Sequence, residues 1–488
     1  MATSTDSMPD RTVPADRLTR RIDLTTAATA ALTVLAFAVA SYHLGTKSMW
    51  LDEAVSADHA RLGFSGLWKV LSGGDPNMGL YYVLLHFWVR IFGYGEAAVR
   101  SMSVVLAAWA VPAIVALGRR LFGAATGLIA GLLLALAPFF VQYEQTARSY
   151  GLLVLLVVLS SYFFVRMLEK PTRALLIGYV IASTLAVYAQ YFAALVLIVQ
   201  LATLLTLRRR EALTRSWWTA AGAIVVLCSP EAVFALRKGN GGIAWIPDPT
   251  FGSLFRLPSA LAGTHALAAV LAVLACWGFA CAMRAGGRWQ SGFLATWLLG
   301  PVLLVFVVSK LGHPLFVNYY LIIVLPAFLL LAALGVAKLP AVGMARGLPV
   351  APLSAIALVL LVALSTIGLR DWYDSSSVED YRGLTRYILG HAQAGDGAIY
   401  YPAQTVSYGV SYYSELSGKM GPAQIAYRLG SPPAAKPARL WLVVRDAGAS
   451  STVTENIKRS LSDTYEPQGE TQPRFTGLDV LLYQRKVR

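Results

Sequence analysis

Two adjacent carboxylates, Asp52 and Glu53, directly follow an apolar stretch that is long enough to cross a bilayer. Ionised side chains at a membrane edge are costly and therefore suggest a function. One carboxylate could remove a proton from a hydroxyl group while the other orients a metal ion or a partner group. The alternative is structural, because acidic residues favour the first turn of a helix. The residues alone leave both interpretations open.

Basic and aromatic residues occur in several loops that we predict on the same side of the membrane as Asp52. Guanidinium groups bind phosphate oxygens in a bidentate manner, so these loops suit an anionic substrate. Each cation alone is more often an interfacial residue with its charged head in water, and Trp245 could equally anchor the chain at the interface. The stronger argument for an anion-binding site is that all of these residues are predicted on the same side of the membrane. The residues are Arg148, Arg237, Trp245, Lys310 and His313.

A divalent metal ion is a further prediction for this side of the membrane. Carboxylates and imidazoles are metal ligands, and the candidates are Glu53, Asp75 and His313. No spacing among them matches a zinc signature, so the metal is unassigned. The three cysteines lie inside apolar runs and indicate no disulfide framework.

The composition of the chain defines its class. Of 488 residues, 56% are hydrophobic and only 14% are charged, whereas soluble domains carry about 25% charged residues. The sequence is therefore that of an integral membrane protein. Its net charge of +15 does not indicate a nucleic-acid partner, because the basic residues form clusters between apolar runs, as expected for residues that fix membrane orientation.

We predict about eleven membrane-spanning helices from runs of roughly 17–25 apolar residues. The polar segment 1–23 is expected to be a cytoplasmic tail, and the first span is expected to be uncleaved. Asp52 then lies outside the cytoplasm. The predicted spans are residues 24–44, 97–118, 122–141, 149–168, 173–188, 191–207, 216–236, 263–283, 291–309, 316–337 and 350–369.

The apolar segment 79–95 is short and carries a histidine and an arginine. If it does not cross the membrane, the later basic clusters all fall on the cytoplasmic side with the N-terminal arginines. We therefore predict that it lies in the outer interface as an amphipathic helix, and that residues 53–71 form a second interfacial helix. The turn between them would hold Asp75 beside Asp52.

The composition changes to that of a soluble domain from residue 371 onward. We predict a transmembrane domain over residues 24–370 and a small extracytoplasmic α/β domain over 371–488. Its expected helices are 380–393 and 453–461, and its expected strands are 398–401, 440–444 and 480–483. It contains no glycine-rich phosphate loop, which favours a scaffold or acceptor-recognition role.

Several motifs together resemble the GT-C superfamily of polyprenyl-phosphate-sugar glycosyltransferases, and in particular its protein-mannosyltransferase-like group, glycosyltransferase family 39. The alanine-, glycine- and arginine-rich composition suggests a bacterial, high-GC actinobacterial member. The motifs are Trp50-Leu51-Asp52-Glu53-Ala54, Leu80-Tyr81-Tyr82, Arg100-Ser101, Gln145 with Ala147-Arg148-Ser149-Tyr150, and Glu379-Asp380-Tyr381-Arg382.

The resemblance implies the GT-C fold and an inverting transfer of a sugar from a polyprenyl phosphate to an acceptor hydroxyl outside the cytoplasmic membrane. Asp52 matches the family's catalytic acid and would be the base. Asp75 would hold a metal or the donor phosphate, although Asn77-Met78-Gly79 replaces the usual double proline. Asn318-Tyr319 stands where many relatives have Arg-Tyr, which leaves phosphate binding to Arg148, Arg237 or Lys310. Glu53, Tyr150, Trp245 and His313 complete the expected donor site.

Mannose is the first expected sugar and arabinofuranose the second. The expected acceptor is a glycan, lipid or protein, and no nucleotide cofactor is required because the sugar arrives activated on its carrier. Two alternatives belong to other classes. One is a transporter or flippase for lipid-linked sugars, for which the sequence lacks the paired interrupted helices expected. The other is a non-catalytic cell-wall assembly protein with a glycan-binding outer domain.

Overall fold

The computed structural model describes residues 15–73, 77–207, 215–238, 245–345, 350–429, 431, 433–446, 451–468 and 473–486. Asp75 and the centre of its predicted turn, residues 74–76, therefore lie outside the described residues. The helices before the C-terminal domain are α1 Ala15–Ser41, α2 Leu51–Arg61, α3 Phe64–Gly73, α4 Gly79–Phe92, α5 Glu96–Ala108, α6 Ala110–Phe122, α7 Ala124–Ala135, α8 Pro138–Glu144, α9 Tyr150–Glu169, α10 Arg173–Ala189, α11 Ala193–Thr206, α12 Arg215–Lys238, α13 Phe251–Ala262, α14 His265–Arg284, α15 Arg288–Lys310, α16 Leu325–Ala345 and α17 Val350–Asp374.

Eight helical segments of the described chain are long and apolar enough to cross a membrane, and the bent pair of α7 and α8 makes a ninth. This confirms a multi-pass helical membrane protein. α10 and α11 are apolar but shorter. The eight segments are Leu24–Ser41, Glu96–Phe122, Tyr150–Glu169, Arg215–Arg237, His265–Arg284, Arg288–Lys310, Tyr320–Leu339 and Leu353–Asp374.

Glycines allow the closest helix contacts in this bundle. A Cβ atom placed on Gly335 of α16 would lie 2.0 Å from the carbonyl oxygen of Leu274 in α14. At the contact of α6 with α7, a Cβ atom on Gly118 would lie 2.7 Å from the Cα atom of Gly127. Small residues at such crossings let the helix backbones approach closely, which is how helices associate in membranes without a hydrophobic driving force.

Three short helices, α2, α3 and α4, form the segment between the first two predicted spans. The sequence predicts one helix over residues 53–71, but the structure divides it into α2 and α3. The chain is extended at Leu62, with φ −55° and ψ 149°, and α3 starts only after Gly63. Large apolar side chains such as Phe64, Trp68 and Ile91 are exposed on α3 and α4, as expected for helices at a membrane interface.

The described residues of the C-terminal domain form a mixed five-stranded sheet with three helices. The strand order is β2-β1-β3-β5-β4, with β1 parallel to β2 and β3, and β5 antiparallel to β3 and β4. The predicted strands and helices are present, while α19, β2 and β4 were not predicted. The elements are α18 Tyr381–His391, β1 Gly397–Tyr401, α19 Ala403–Leu416, β2 Ala423–Gln424, β3 Arg439–Arg445, α20 Ser451–Ser462, β4 Tyr465–Pro467 and β5 Leu478–Arg485.

Candidate active site

The segment between α1 and α2 is held by side chains of the C-terminal domain. The backbone N–H groups of Ser48 and Met49 donate to Ser377 Oγ and to the Tyr413 hydroxyl, each at 2.8 Å. The guanidinium of Arg382 donates to the carbonyl oxygens of residues 45, 46 and 47 at 2.9, 3.0 and 3.1 Å. The start of α2 is therefore fixed from outside the helical bundle.

Glu53 is the buried member of the carboxylate pair, with 1% of its surface exposed. Arg100 donates from Nε to Oε1 at 2.7 Å and from Nη2 to Oε2 at 2.6 Å. The backbone N–H of Ala147 also donates to Oε1, at 2.9 Å. Because both oxygens are engaged, this geometry favours a positioning role for Glu53 over binding of a metal or donor. It ties α2 to α5 and to the loop before α9.

Asp52 faces the other way, since adjacent residues of a helix point in different directions. Its side chain is 30% exposed, and Oδ2 lies 3.7 Å from Nη2 of Arg148. Nη1 of Arg148 donates to the Tyr82 hydroxyl at 3.3 Å. A partly exposed carboxylate beside a mostly buried arginine can accept a proton from one reactant while the arginine attracts an anionic one.

Three tyrosine rings pack against one another near Asp52. The ring centroids of Tyr143 lie 5.0 Å from Tyr150 and 5.6 Å from Tyr319, and those of Tyr150 and Tyr319 are 5.7 Å apart. Burial raises the pKa of Tyr319, and the charges of Tyr320 and Asp52 raise it further. A tyrosine hydroxyl is protonated at neutral pH in any case, so Tyr319 can donate a hydrogen bond.

A cavity of about 220 Å³ adjoins this cluster. Its walls include Trp50, Gln142, Trp372 and the rings of Tyr143 and Tyr319. Aromatic faces next to amide groups suit a sugar ring, because the apolar face of the sugar can lie on an aromatic side chain while its hydroxyls form hydrogen bonds. The cavity therefore offers space for a polar reactant beside the α2 start.

A second cavity of about 460 Å³ lies at the N-terminus of α14 and is lined by Arg256, Ser259, His265 and Asn318, among others. Asn318 of this cavity is the residue before Tyr319 of the tyrosine cluster. Sequence reasoning missed Arg256, which lies on α13. The signal that could have located α13 is Thr250 followed by Ser253, whose reciprocal capping arrangement marks a helix start.

Four predicted residues, Arg237, Trp245, Lys310 and His313, lie on other elements of the described structure. Arg237 is exposed on the last turns of α12, and Trp245 and His313 are exposed in loops. Lys310 ends α15, with its ammonium 6.0 Å from the ring centroid of Phe306. In the described part of the chain, Asp52 contacts Arg148 through an ion pair and a hydrogen bond to its backbone oxygen, but it forms no such contact with Arg237, Trp245 or Lys310.

The described residues contain no group of three or more His, Cys, Asp or Glu side chains that could hold a metal ion. Asp75, one of the predicted ligands, is outside those residues. A metal at this site stays a prediction.

Solved structures share this architecture. ArnT from Cupriavidus metallidurans bound to undecaprenyl phosphate has a TM-score of 0.59 at 13% identity, with 93% of this chain and 97% of that chain covered. AglB from Archaeoglobus fulgidus in complex with an inhibitory peptide and a dolichol-phosphate has a TM-score of 0.53 at 11% identity, covering 86% and 69%. The arabinofuranosyltransferase AftD from Mycobacteria has a TM-score of 0.50 at 17% identity, covering 95% and 41%.

The structural matches show that this chain shares the fold of ArnT, a multi-pass membrane protein. Residues 76–234 of the sequence match the family described as dolichyl-phosphate-mannose-protein mannosyltransferase. The amino-acid sequence has no significant match among curated proteins. The family resemblance predicted from the motifs is thereby confirmed.

Proposed function

We propose that this enzyme transfers a sugar from a polyprenyl-phosphate donor to an acceptor hydroxyl, with inversion at the anomeric carbon and Asp52 as the general base. The observation that carries the proposal is the division between the two carboxylates. Glu53 is buried and engaged by Arg100 and Ala147, whereas Asp52 is partly exposed beside Arg148. Asp52 is therefore the carboxylate that a reactant can reach.

In the proposed reaction, the acceptor oxygen attacks the anomeric carbon while Asp52 takes the hydroxyl proton. The bond between that carbon and the phosphate oxygen breaks, and polyprenyl phosphate leaves. Cations near the leaving group stabilise the negative charge that develops on it. Arg148 lies beside Asp52, and Arg256 and His265 line the second cavity. These residues join Arg237 and Lys310 as candidates for the donor phosphate.

The similar proteins support a lipid phosphate carrier and two candidate sugars. The structures of ArnT and AglB contain undecaprenyl phosphate and dolichol-phosphate, which supports a lipid phosphate carrier here. The family description names mannose, and AftD is an arabinofuranosyltransferase. We therefore infer mannose as the first donor sugar to test and arabinofuranose as the second. A glycan, a lipid and a protein all remain acceptor candidates, with Tyr150 and Trp245 as candidate sugar contacts.

We also propose eleven spans, with α10 and α11 crossing the membrane in addition to the nine longer segments. The N-terminus is then cytoplasmic, and Asp52 and the C-terminal domain lie outside the cytoplasmic membrane. Reporter fusions at both termini test this topology. Reporters on the same side of the membrane would contradict an odd number of spans.

The candidate ligands of a divalent metal ion in this proposal are Asp75 and His313. Glu53 is left out because both of its carboxylate oxygens accept hydrogen bonds. Chelation with EDTA and re-addition of Mg²⁺ or Mn²⁺ tests whether the transfer needs a metal.

The decisive experiment measures transfer of radiolabelled sugar from purified polyprenyl-phosphate mannose and polyprenyl-phosphate arabinofuranose. A general base contributes roughly 10²- to 10⁴-fold to the rate, so Asp52→Asn should reduce kcat by that order. The matched control is Asp58→Asn on the same helix, where the carboxylate pairs with Arg61 at 2.7 Å and activity should be retained. Full activity of Asp52→Asn would exclude Asp52 as the base.

A further inference from the structure

A groove of about 420 Å³ lies where the C-terminal domain meets the helical bundle. Its walls come from α18, from the end of α19 and from the start of α5. The polar side chains that line it include Glu96, Arg382, Thr385, Arg386 and Lys419. The groove shares no lining residue with the two cavities described above.

The charges in this groove do not cancel. Arg382 donates from Nε to Oε1 of Glu96 at 3.1 Å, and the Tyr413 hydroxyl also donates to Glu96. Arg386 and Lys419 are exposed and form no ion pair with any acidic residue that the structure describes. The groove therefore carries two positive charges that protein carboxylates leave uncompensated.

Thr385 adds a buried hydrogen-bonding group to the same wall. Its side chain is 1% exposed, and Oγ1 has no hydrogen-bond partner among the described residues. Burying a hydroxyl without a partner costs free energy. An oxygen atom of a bound anion would accept this hydrogen bond.

The groove opens at the level where the chain enters the membrane. Glu96 is the first residue of a candidate span of 27 residues. The Tyr412 hydroxyl donates to the carbonyl oxygen of Tyr94 at 2.8 Å, which holds α19 against the entry of that span. Beside Lys419, Leu416 and Met420 are 48% and 98% exposed. Apolar side chains next to basic ones are the pattern of a surface that contacts a lipid interface.

We propose that this groove binds the headgroup of an anionic phospholipid from the adjacent leaflet and thereby anchors the C-terminal domain to the membrane. The phosphate would lie between Arg386 and Lys419, with Thr385 as a further donor, while Leu416 and Met420 contact the acyl region. The inference does not depend on the proposed sugar transfer, because none of these residues contacts Asp52.

The test uses the full chain in detergent micelles doped with either phosphatidylglycerol or phosphatidylcholine, and native mass spectrometry measures the lipid retained. Each basic residue near an anionic surface contributes roughly fivefold to binding, so Arg386→Gln with Lys419→Gln should weaken phosphatidylglycerol retention about 30-fold. Phosphatidylcholine retention should not change. The matched control is Arg428→Gln with Lys436→Gln, two exposed basic residues of the same domain that do not line the groove.

Three results would overturn the proposal. The first is wild-type retention of phosphatidylglycerol by the groove variant. The second is equal loss of both lipids, since charge would then not be recognised. The third is unchanged lipid retention with a raised KM for the acceptor, which would assign the groove to the acceptor. A thermal melt of each variant verifies that the chain is folded.

Discussion

The backbone N–H of Leu51, the first residue of α2, donates a hydrogen bond of 2.8 Å to Oε2 of Glu379 in the C-terminal domain. The other oxygen of this buried carboxylate accepts a hydrogen bond from Arg445. A carboxylate at the N-terminus of a helix also interacts favourably with the helix dipole. Asp52 is the next residue after Leu51, so the C-terminal domain sets the position of the proposed base.

Replacing Glu379 should therefore impair catalysis more than substrate binding. Glu379→Ala removes the acceptor for Leu51 and leaves Arg445 without its partner. A displacement of about 1 Å at a reacting group can cost roughly 100-fold in rate, so we expect kcat to fall by that order while the donor KM stays near its wild-type value. Steady-state sugar-transfer kinetics measure both constants.

Glu379→Gln serves as the rescue variant, because its amide oxygen can still accept the hydrogen bond from Leu51. It should retain most of kcat. Glu466→Ala, an exposed acid on β4 of the same domain, should behave as wild type. Equal losses in the Gln and Ala variants would argue against a positioning hydrogen bond.

The Glu53–Arg100 pair should act mainly on stability. Both side chains are almost fully buried and are joined by two hydrogen bonds. Removing one partner of a buried ion pair costs about 3–5 kcal/mol, so Glu53→Gln should lower the melting temperature strongly. For comparison, Glu169→Gln breaks the exposed contact with Arg120 at 3.6 Å and should cost at most about 1 kcal/mol. Similar melting temperatures for the two variants would contradict this role.

Because α14 and α16 cross closely at Gly335, we expect that a single added methyl group there strongly lowers stability. In Gly335→Ala the new Cβ atom would meet the Leu274 carbonyl oxygen at 2.0 Å, so the helices must separate. We expect a loss of roughly 1–3 kcal/mol or more, which a thermal melt detects. The matched control is Gly222→Ala on α12, where the added Cβ atom meets nothing within 4 Å. That variant should be neutral or up to about 1 kcal/mol more stable.

His86 of α4 gives the protein a pH-dependent stability. Burial lowers the pKa of this histidine, and the charge of Arg90 lowers it further. The unfolded chain therefore takes up a proton near pH 6.5, whereas the folded state takes it up only at lower pH. Stability contributed by the neutral ring is present above about pH 6.5 and is lost as the pH falls below it.

Melting temperatures between about pH 8 and pH 5 test this expectation. His86→Gln should show a smaller decrease on acidification than the wild type, because it lacks the group that titrates. His391→Gln, which replaces an exposed histidine, should keep the wild-type slope. An identical slope in His86→Gln would show that other groups cause the acid sensitivity.

The sequence was sufficient for features that local patterns encode. Apolar run lengths predict the long helices, and alternation predicts the three central strands. The start of α2 and the candidate base follow from a carboxylate pair at the end of a span. Each of these patterns can be recognised from residues that are close together in the sequence.

The features that could not be predicted from the sequence depend on residues far apart in the chain. The two carboxylates are equivalent in the sequence, and their division is set by Arg100, which lies 47 residues after Glu53. Arg256 was missed because α13 is short and its polarity is mixed. The predicted helix over 53–71 was wrong because Leu62 and Gly63 interrupt it, a break that helical periodicity alone does not reveal.

The hydrogen bond between Leu51 and Glu379 joins residues 328 positions apart. A ribosome must therefore synthesise the chain as far as Glu379 before this hydrogen bond, at the start of the helix that carries Asp52, can form. A chain that stops within the transmembrane region could insert its helices, yet it would lack the residues that hold Ser48, Met49 and Leu51. If Asp52 is the base, we expect a chain that lacks the C-terminal domain to transfer sugar more slowly than the whole chain, because these three hydrogen bonds would be missing.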